Sequence, residues 1–139
     1  MTVGIPYWPR PEQNRMHNRR KRFNVMVCHR RWGKTVWAIN ELILGCCNCK
    51  LSRPQFAYLA PQRNQAKRVA WEYVKQYTRC FEGVTYNEAE LRCDLPWGAR
   101  IYLLGADDPD SLRGIYLDGA VLDEVAQMQP KAWTEVIRP

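Results

Sequence analysis

The sequence predicts an α/β fold with a mainly parallel sheet, because short apolar runs alternate with a helical pattern. Residues 23–27 and 56–60 are largely apolar runs of strand length, as expected for strands that are buried on both faces. Between them, residues 36–44 carry apolar side chains at helical spacing. The chain has 139 residues, which is enough for one domain with a substantial core.

A phosphate-binding loop is predicted between the first strand and this helix. The triplet Gly33-Lys34-Thr35 follows a polar turn there, and the order strand, turn, Gly-Lys-Thr, helix is that of a P-loop. Backbone N–H groups at the helix start would surround a phosphate, and Gly33 would allow close approach and a positive φ. Lys34 would reach the β- and γ-phosphates, and the Thr35 hydroxyl would bind Mg²⁺. Cys28 replaces the usual first glycine, so an ordinary glycine-initiated helix remains the alternative.

Two adjacent carboxylates follow another candidate strand near the end of the sequence. Residues 119–122 are small and apolar, and Asp123 and Glu124 come directly after them, as in a Walker B motif. In such a motif the aspartate holds Mg²⁺ through water, and the glutamate orients and deprotonates the attacking water. Charged residues at strand ends are common, so the pair is informative mainly together with the P-loop. The two motifs predict a nucleotide-hydrolysing P-loop NTPase.

The remaining patterns predict two helices and a hairpin. Residues 13–18 suggest a short helix, residues 63–81 an amphipathic one, and Gly45 a C-cap for the P-loop helix. Residues 90–95 and 100–104 alternate around a turn, which indicates an inserted β-hairpin. The apolar stripe of the long helix consists of Ala66, Val69, Ala70, Tyr73, Val74, Tyr77 and Phe81.

Basic residues are concentrated at the beginning of the chain. The sequence has 21 Lys and Arg against 14 Asp and Glu, a net charge of +7. Such a cluster suits a polyanion, either a nucleotide phosphate or a nucleic acid backbone, although a solvated basic face is the alternative. The basic residues of the first 34 positions, opposed only by Glu12, are Arg10, Arg15, Arg19, Arg20, Lys21, Arg22, Arg30, Arg31 and Lys34.

The sequence shows no targeting or membrane signal. No run approaches the roughly 18 apolar residues that span a bilayer, and a signal-peptide core is missing from the N-terminus. We therefore expect a soluble intracellular protein whose six cysteines are reduced thiols. Residues 46–49 hold three of them, but without the paired spacing of a structural zinc site.

Residues 28–35 resemble the deviant Walker A motif of the large terminase subunits of tailed bacteriophages. In that family the first glycine is often replaced and an arginine lies within the loop. Residues 58–62, 112–114 and 121–126 resemble further family segments, and residues 9–13 resemble the upstream segment that contacts adenine. The series covers nearly the whole chain in the family's order.

The resemblance implies an ATP-driven motor that moves double-stranded DNA into a preformed capsid. Arg30, or alternatively Arg31, would add positive charge at the γ-phosphate. Arg113 would act as an arginine finger on a neighbouring subunit, the alternative being an ion pair with Asp107, Asp108 or Asp110. Gln13 would recognise adenine through its amide, although an exposed glutamine without that role is the alternative. The implied catalytic residues are Glu124, Arg30 and Arg113, the ATP-binding residues are Gln13, Arg31, Trp32, Gly33, Lys34 and Thr35, and the Mg²⁺ ligands are Thr35 and Asp123.

The resemblance also implies partners and a division of the chain. We expect double-stranded DNA, a portal protein, a small terminase subunit and further copies in a ring, all in the host cytoplasm and without a membrane. Residues 1–22 would form a basic N-terminal segment, and residues 23–139 a P-loop ATPase core of the additional-strand type, truncated after the Walker B strand. Large terminases continue into a further strand, which lies between the P-loop and Walker B strands, then a lid and a nuclease domain. We therefore expect a piece of a longer protein or a truncated reading frame that hydrolyses ATP poorly alone.

Two other classes of protein would explain the same motifs. The first is a helicase-like P-loop ATPase, against which Cys28 and residues 125–126 weigh, since helicases usually have a glycine-richer loop and a different sequence after the Asp-Glu pair. The second is a non-catalytic DNA-binding module with a vestigial P-loop. Nucleotide-independent DNA binding with a steep salt dependence would favour that module.

Overall fold

Helices and strands alternate along most of the chain in the computed structural model, which describes residues 4–107 and 112–137. Within these residues a short 3₁₀ helix (Val125–Gln127) and a π-helix (Ala132–Ile137) follow the last strand. None of the described helices is both long and apolar enough to cross a bilayer. The principal elements are α1 (Pro11–Asn18), α2 (Lys34–Asn48), β1 (Gln55–Ala60), α3 (Arg63–Thr78), β2 (Thr85–Asn87), β3 (Arg92–Asp94), β4 (Arg100–Gly105) and β5 (Gly119–Leu122).

The strands form one sheet in the order β2-β3-β4-β1-β5. Strand β1 pairs in parallel with β4 on one side and β5 on the other, while β2, β3 and β4 form an antiparallel meander. The predicted α/β class with a parallel sheet and an inserted hairpin is confirmed, and β2 is an addition that the sequence patterns did not indicate. The carboxyl ends of β1, β4 and β5 share one edge, where parallel α/β sheets place their ligands.

The predicted strand at residues 23–27 is wrong. This segment is extended but belongs to no ladder in the described part of the chain, and Val25 and Val27 are 91% and 97% exposed. A strand persists only when a neighbour satisfies its N–H and C=O groups, and β5 has a described neighbour only on its β1 side. The apolar run alone could not supply that neighbour. Phe23 instead packs edge-on against Trp133, with ring centroids 6.3 Å apart.

Helix α2 continues past its predicted end. Gly45 lies inside the helix, which is capped at Cys49, so its prediction as a C-cap is wrong. A Cβ atom at Gly45 would come within 2.6 Å of Cε1 of Phe56 on β1. The same ring would lie 2.5 Å from a Cβ atom at Gly119 on β5. The two glycines therefore make room for one aromatic ring between helix and sheet.

The main core lies between the sheet and the helices α2 and α3. Its fully buried members include Ile39 and Ile43 from α2, Val74 from α3, and Tyr58 and Leu103 from the sheet. A smaller cluster around Ala57, Leu59 and Leu112 contains β1 residues of opposite parity, as expected from the alternation of side chains along a strand. The predicted stripe of α3 is buried at Ala66, Ala70, Val74 and Tyr77, whereas Val69 and Tyr73 remain 38% and 37% exposed and Trp71 is buried instead.

Candidate nucleotide-binding site

The Gly-Lys-Thr triplet lies at the start of α2, as predicted. The N–H of Trp32 donates to the carbonyl of His29 (3.3 Å), which closes the turn before the helix. Arg31 and Gly33 both have positive φ, at 65° and 87°. Glycine adopts this conformation without strain, and Gly33 is the N-cap of α2.

The first turn of α2 is suited to an anion. The N–H of Trp37 donates to the carbonyl of Gly33 (3.0 Å), so the amides of the preceding helical residues precede the regular ladder. No acidic residue occupies the first turn of this 15-residue helix. Since the helix dipole places partial positive charge at this end, the backbone favours a negatively charged group here.

The two predicted motifs meet although 90 residues separate Lys34 from Glu124. The ammonium of Lys34 lies 3.0 Å from Oε1 of Glu124 and 3.6 Å from Oδ1 of Asp123. The hydrogen bond to Glu124, followed by the charges of both carboxylates, raises the pKa of Lys34 against the smaller effect of burial. Asp123 continues the sheet by donating its N–H to the carbonyl of Leu59 (2.9 Å).

Tyr58 is a site residue that sequence reasoning missed. It lies on β1, is 1% exposed, and donates its hydroxyl to Oδ2 of Asp123 at 2.5 Å. Burial is the main cause that raises the pKa of this phenol, while a hydrogen bond with the Thr35 side chain lowers it. The hydroxyl thus contacts a residue of each motif. No local signal distinguishes this tyrosine from any other aromatic residue of a buried strand.

Gln13 and Arg10 support the phosphate-binding loop from α1. Gln13 is buried, and its amide nitrogen lies 3.3 Å from the carbonyl oxygen of Gly33 and 3.5 Å from that of Trp32. The Arg10 guanidinium also donates to the Trp32 carbonyl. The sequence resemblance assigned Gln13 to adenine, and in this structure its amide contacts the backbone of the loop.

A buried polar network, also missed from the sequence, joins α1 to α2. Nε2 of His17 is 2.8 Å from the Tyr7 hydroxyl, and Nδ1 of His17 contacts a Glu41 carboxylate that also pairs with Arg20. The His17 ring stacks on Trp37 with centroids 4.9 Å apart. Burial, with a smaller contribution from the Arg20 charge, lowers the pKa of His17 to about 4. Neutral His17 therefore suits this contact.

The three arginines with predicted roles are exposed. Arg30 and Arg31 lie in the turn before α2, and Arg113 lies in the turn between β4 and β5. Their roles in charge stabilisation stay predictions. Asp108 and Asp110, the alternative partners of Arg113, lie outside the described residues.

The oxygen atoms near Tyr58 fit a magnesium ion. Thr35 supplies a hydroxyl and Asp123 a carboxylate, and both contact the same phenol. Mg²⁺ typically takes one or two protein oxygens together with phosphate oxygens and waters. Among the described residues there is no cluster of three His, Cys, Asp or Glu side chains that could hold a metal without a nucleotide, and all six cysteines are free thiols.

Comparison with solved structures gives the fold a close counterpart. The large terminase ATPase domain of Thermus phage P74-26 superposes with a TM-score of 0.80 at 26% identity, covering 97% of this chain and 61% of that one. The chain has the fold of a large terminase ATPase domain. The resemblance indicated by its motifs is thereby confirmed.

Large terminases from a thermophilic bacteriophage are similar in fold as well. One has a TM-score of 0.66 at 20% identity, covering 78% of this chain and 28% of the terminase. Another, in complex with ADP, has a TM-score of 0.66 at 19% identity with the same coverage. This chain thus spans less than two thirds of the terminase chains to which it is similar. No family model and no curated protein match the sequence.

Proposed function

We propose that this chain is the nucleotide-binding part of a viral DNA-packaging ATPase, a large terminase subunit. The observation that carries the proposal is the meeting of Lys34, at the N-terminus of α2, with Asp123 and Glu124 at the end of β5. The terminase ATPase fold supports it, and one terminase of similar fold has ADP bound. The proposed ligand is ATP with Mg²⁺.

The charges of the site suggest how nucleotide binding would prepare hydrolysis. While Lys34 donates to Glu124, one carboxylate oxygen of Glu124 is occupied. Phosphate oxygens at the start of α2 would compete for the same ammonium, because they carry more negative charge. Glu124 would then be free to orient a water molecule and accept its proton. A bound Mg²⁺ would supply neutralisation of the phosphate charge.

The wider motor role includes partners that interact with other surfaces. Exposed basic side chains near α1, among them Arg15, Arg19 and Lys21, would contact the phosphates of double-stranded DNA. Arg113 would face a neighbouring copy in a ring. We also propose contacts with a portal protein and a small terminase subunit, in the host cytoplasm. Support for these partners comes from the fold and the +7 net charge.

The proposal is tested by binding of a fluorescent ATP analogue in the presence of Mg²⁺. We expect micromolar binding by the wild-type chain and a loss of roughly 10- to 100-fold for Lys34→Ala, because one charge-assisted hydrogen bond is removed. Lys50→Ala is the matched control, since this exposed lysine follows α2 at the opposite end of the helix. It should bind like the wild type.

Glu124→Gln separates binding from chemistry. The variant should bind the analogue at least as well as the wild type, because Lys34 loses a competing carboxylate. Any ATP hydrolysis by the wild type should fall by at least about a hundredfold, since the amide cannot act as a base. If neither the wild type nor this variant binds nucleotide, the proposed function is refuted.

A further inference from the structure

One hydroxyl group, that of Tyr58, lies between the two halves of the candidate site. It donates to the Asp123 carboxylate and contacts the Thr35 side chain. We propose that Tyr58 is a positioning residue, which holds the Asp123 carboxylate at a fixed place relative to Thr35 and so sets the affinity for the magnesium–nucleotide complex. The inference rests on the proposed function and adds a residue that the motifs do not contain.

The position of the hydroxyl is fixed by the sheet. Tyr58 lies on the central strand β1, opposite Leu103 of β4 on one side and Val121 of β5 on the other. Its side chain is 1% exposed and belongs to the main core. A strand paired on both edges and a closely packed ring leave the phenol little freedom. Its oxygen is therefore a rigid reference point.

The contacts of Asp123 divide between its two oxygens. Oδ2 accepts from Tyr58, whereas Oδ1 accepts from the N–H of Glu124 (2.9 Å) and lies 3.6 Å from the ammonium of Lys34. Without the phenolic donor, the attraction of Lys34 would act on the carboxylate unopposed. Asp123 would then turn towards Lys34 and away from Thr35.

The consequence concerns Mg²⁺ more than the nucleotide itself. Backbone amides of α2 and the Lys34 ammonium contact phosphate whether or not a metal is bound. The geometry of Thr35 and Asp123 contributes only when Mg²⁺ joins them to the phosphates. Loss of the Tyr58 hydroxyl should therefore reduce the gain in affinity that Mg²⁺ gives, and should leave metal-free binding nearly unchanged.

The test compares Tyr58→Phe with the wild type by binding of the fluorescent ATP analogue, once with Mg²⁺ and once with EDTA. We expect the Kd with Mg²⁺ to rise roughly tenfold, the size of one hydrogen bond to a charged group, and the Kd in EDTA to change less than about twofold. A titration of Mg²⁺ at fixed nucleotide should show its midpoint shifted to higher concentration. This shift is a readout that a general loss of folding stability would not produce.

Tyr86→Phe is the matched control. Tyr86 is a tyrosine on the far edge strand β2, and its hydroxyl lies 2.8 Å from Thr78 Oγ1 within the core. It should lower the Tm without changing the effect of Mg²⁺. The inference is overturned if Tyr58→Phe keeps the wild-type response to Mg²⁺, or if it weakens binding equally in both conditions. A wild-type chain that binds no nucleotide overturns the proposed function as well, whereas normal wild-type binding confines any failure to Tyr58.

Discussion

The buried histidine predicts a loss of stability in mild acid. His17 contacts Tyr7, Glu41 and Arg20 and stacks on Trp37, and its pKa falls from 6.5 to about 4 in the folded chain. Below pH 6.5 the unfolded chain therefore takes up a proton at His17 that the folded chain does not. Stability from this residue is complete above that pH and falls as the pH drops, until the folded form is protonated near pH 4.

The magnitude follows from the size of this change. A fall from 6.5 to about 4 corresponds to at most ~3 kcal/mol. Solvent screening reduces the contribution, because the ring is not fully enclosed, and we expect about 1–2 kcal/mol between roughly pH 7 and pH 4.5. For a chain of 139 residues this amounts to a Tm change of about 5 °C.

The assay is thermal unfolding, followed by circular dichroism over this pH range. The chain has two histidines, and the second, His29, is exposed, so His29→Gln is the matched control. Between neutral and acid pH, the Tm of the wild type and of His29→Gln should fall by about 5 °C more than that of His17→Gln. The reasoning is refuted if His17→Gln keeps the full wild-type pH dependence.

Two further substitutions test the packing and the loop. Gly45→Ala should lower stability by about 1–2 kcal/mol, because a methyl group 2.6 Å from the Phe56 ring exceeds the gain in helix propensity; unfolding in urea measures it, Gly4→Ala in open space is the control, and an unchanged midpoint would contradict it. Gln13→Ala should weaken nucleotide binding about three- to tenfold, since the loop carbonyls lose a buried donor. Glu12→Ala, at an exposed neighbouring position, should bind normally, and equal affinities for both variants would exclude the supporting role of Gln13.

Elements defined by local patterns were predictable from the sequence. Helix α3, the hairpin of β3 and β4, and strand β5 follow from periodicity and turn residues, which act over a few neighbouring positions. The meeting of Lys34 with Asp123 and Glu124 was also predicted, because both motifs lie at ends of elements that an α/β fold brings together.

Features that depend on distant partners were not predictable in the same way. Residues 23–27 have the composition of a strand, but composition does not provide the neighbouring backbone that a strand requires. Gly45 has the composition signal of a helix end, yet the Phe56 ring determines its role. Tyr58 and His17 are ordinary core residues in sequence, and only the tertiary contacts show that each joins two parts of the site region.

The support of the phosphate-binding loop follows from these same contacts. Because residues 23–27 belong to no described ladder, the loop is held on that side mainly through α1, by Gln13 and Arg10 at the carbonyls of Trp32 and Gly33. Helix α1 is in turn fixed to α2 by the network around His17. The opposite half of the site is held by β1, through the hydroxyl of Tyr58 and the carbonyl of Leu59. Perturbing α1 should therefore affect phosphate binding with or without metal, whereas perturbing β1 should affect the response to Mg²⁺.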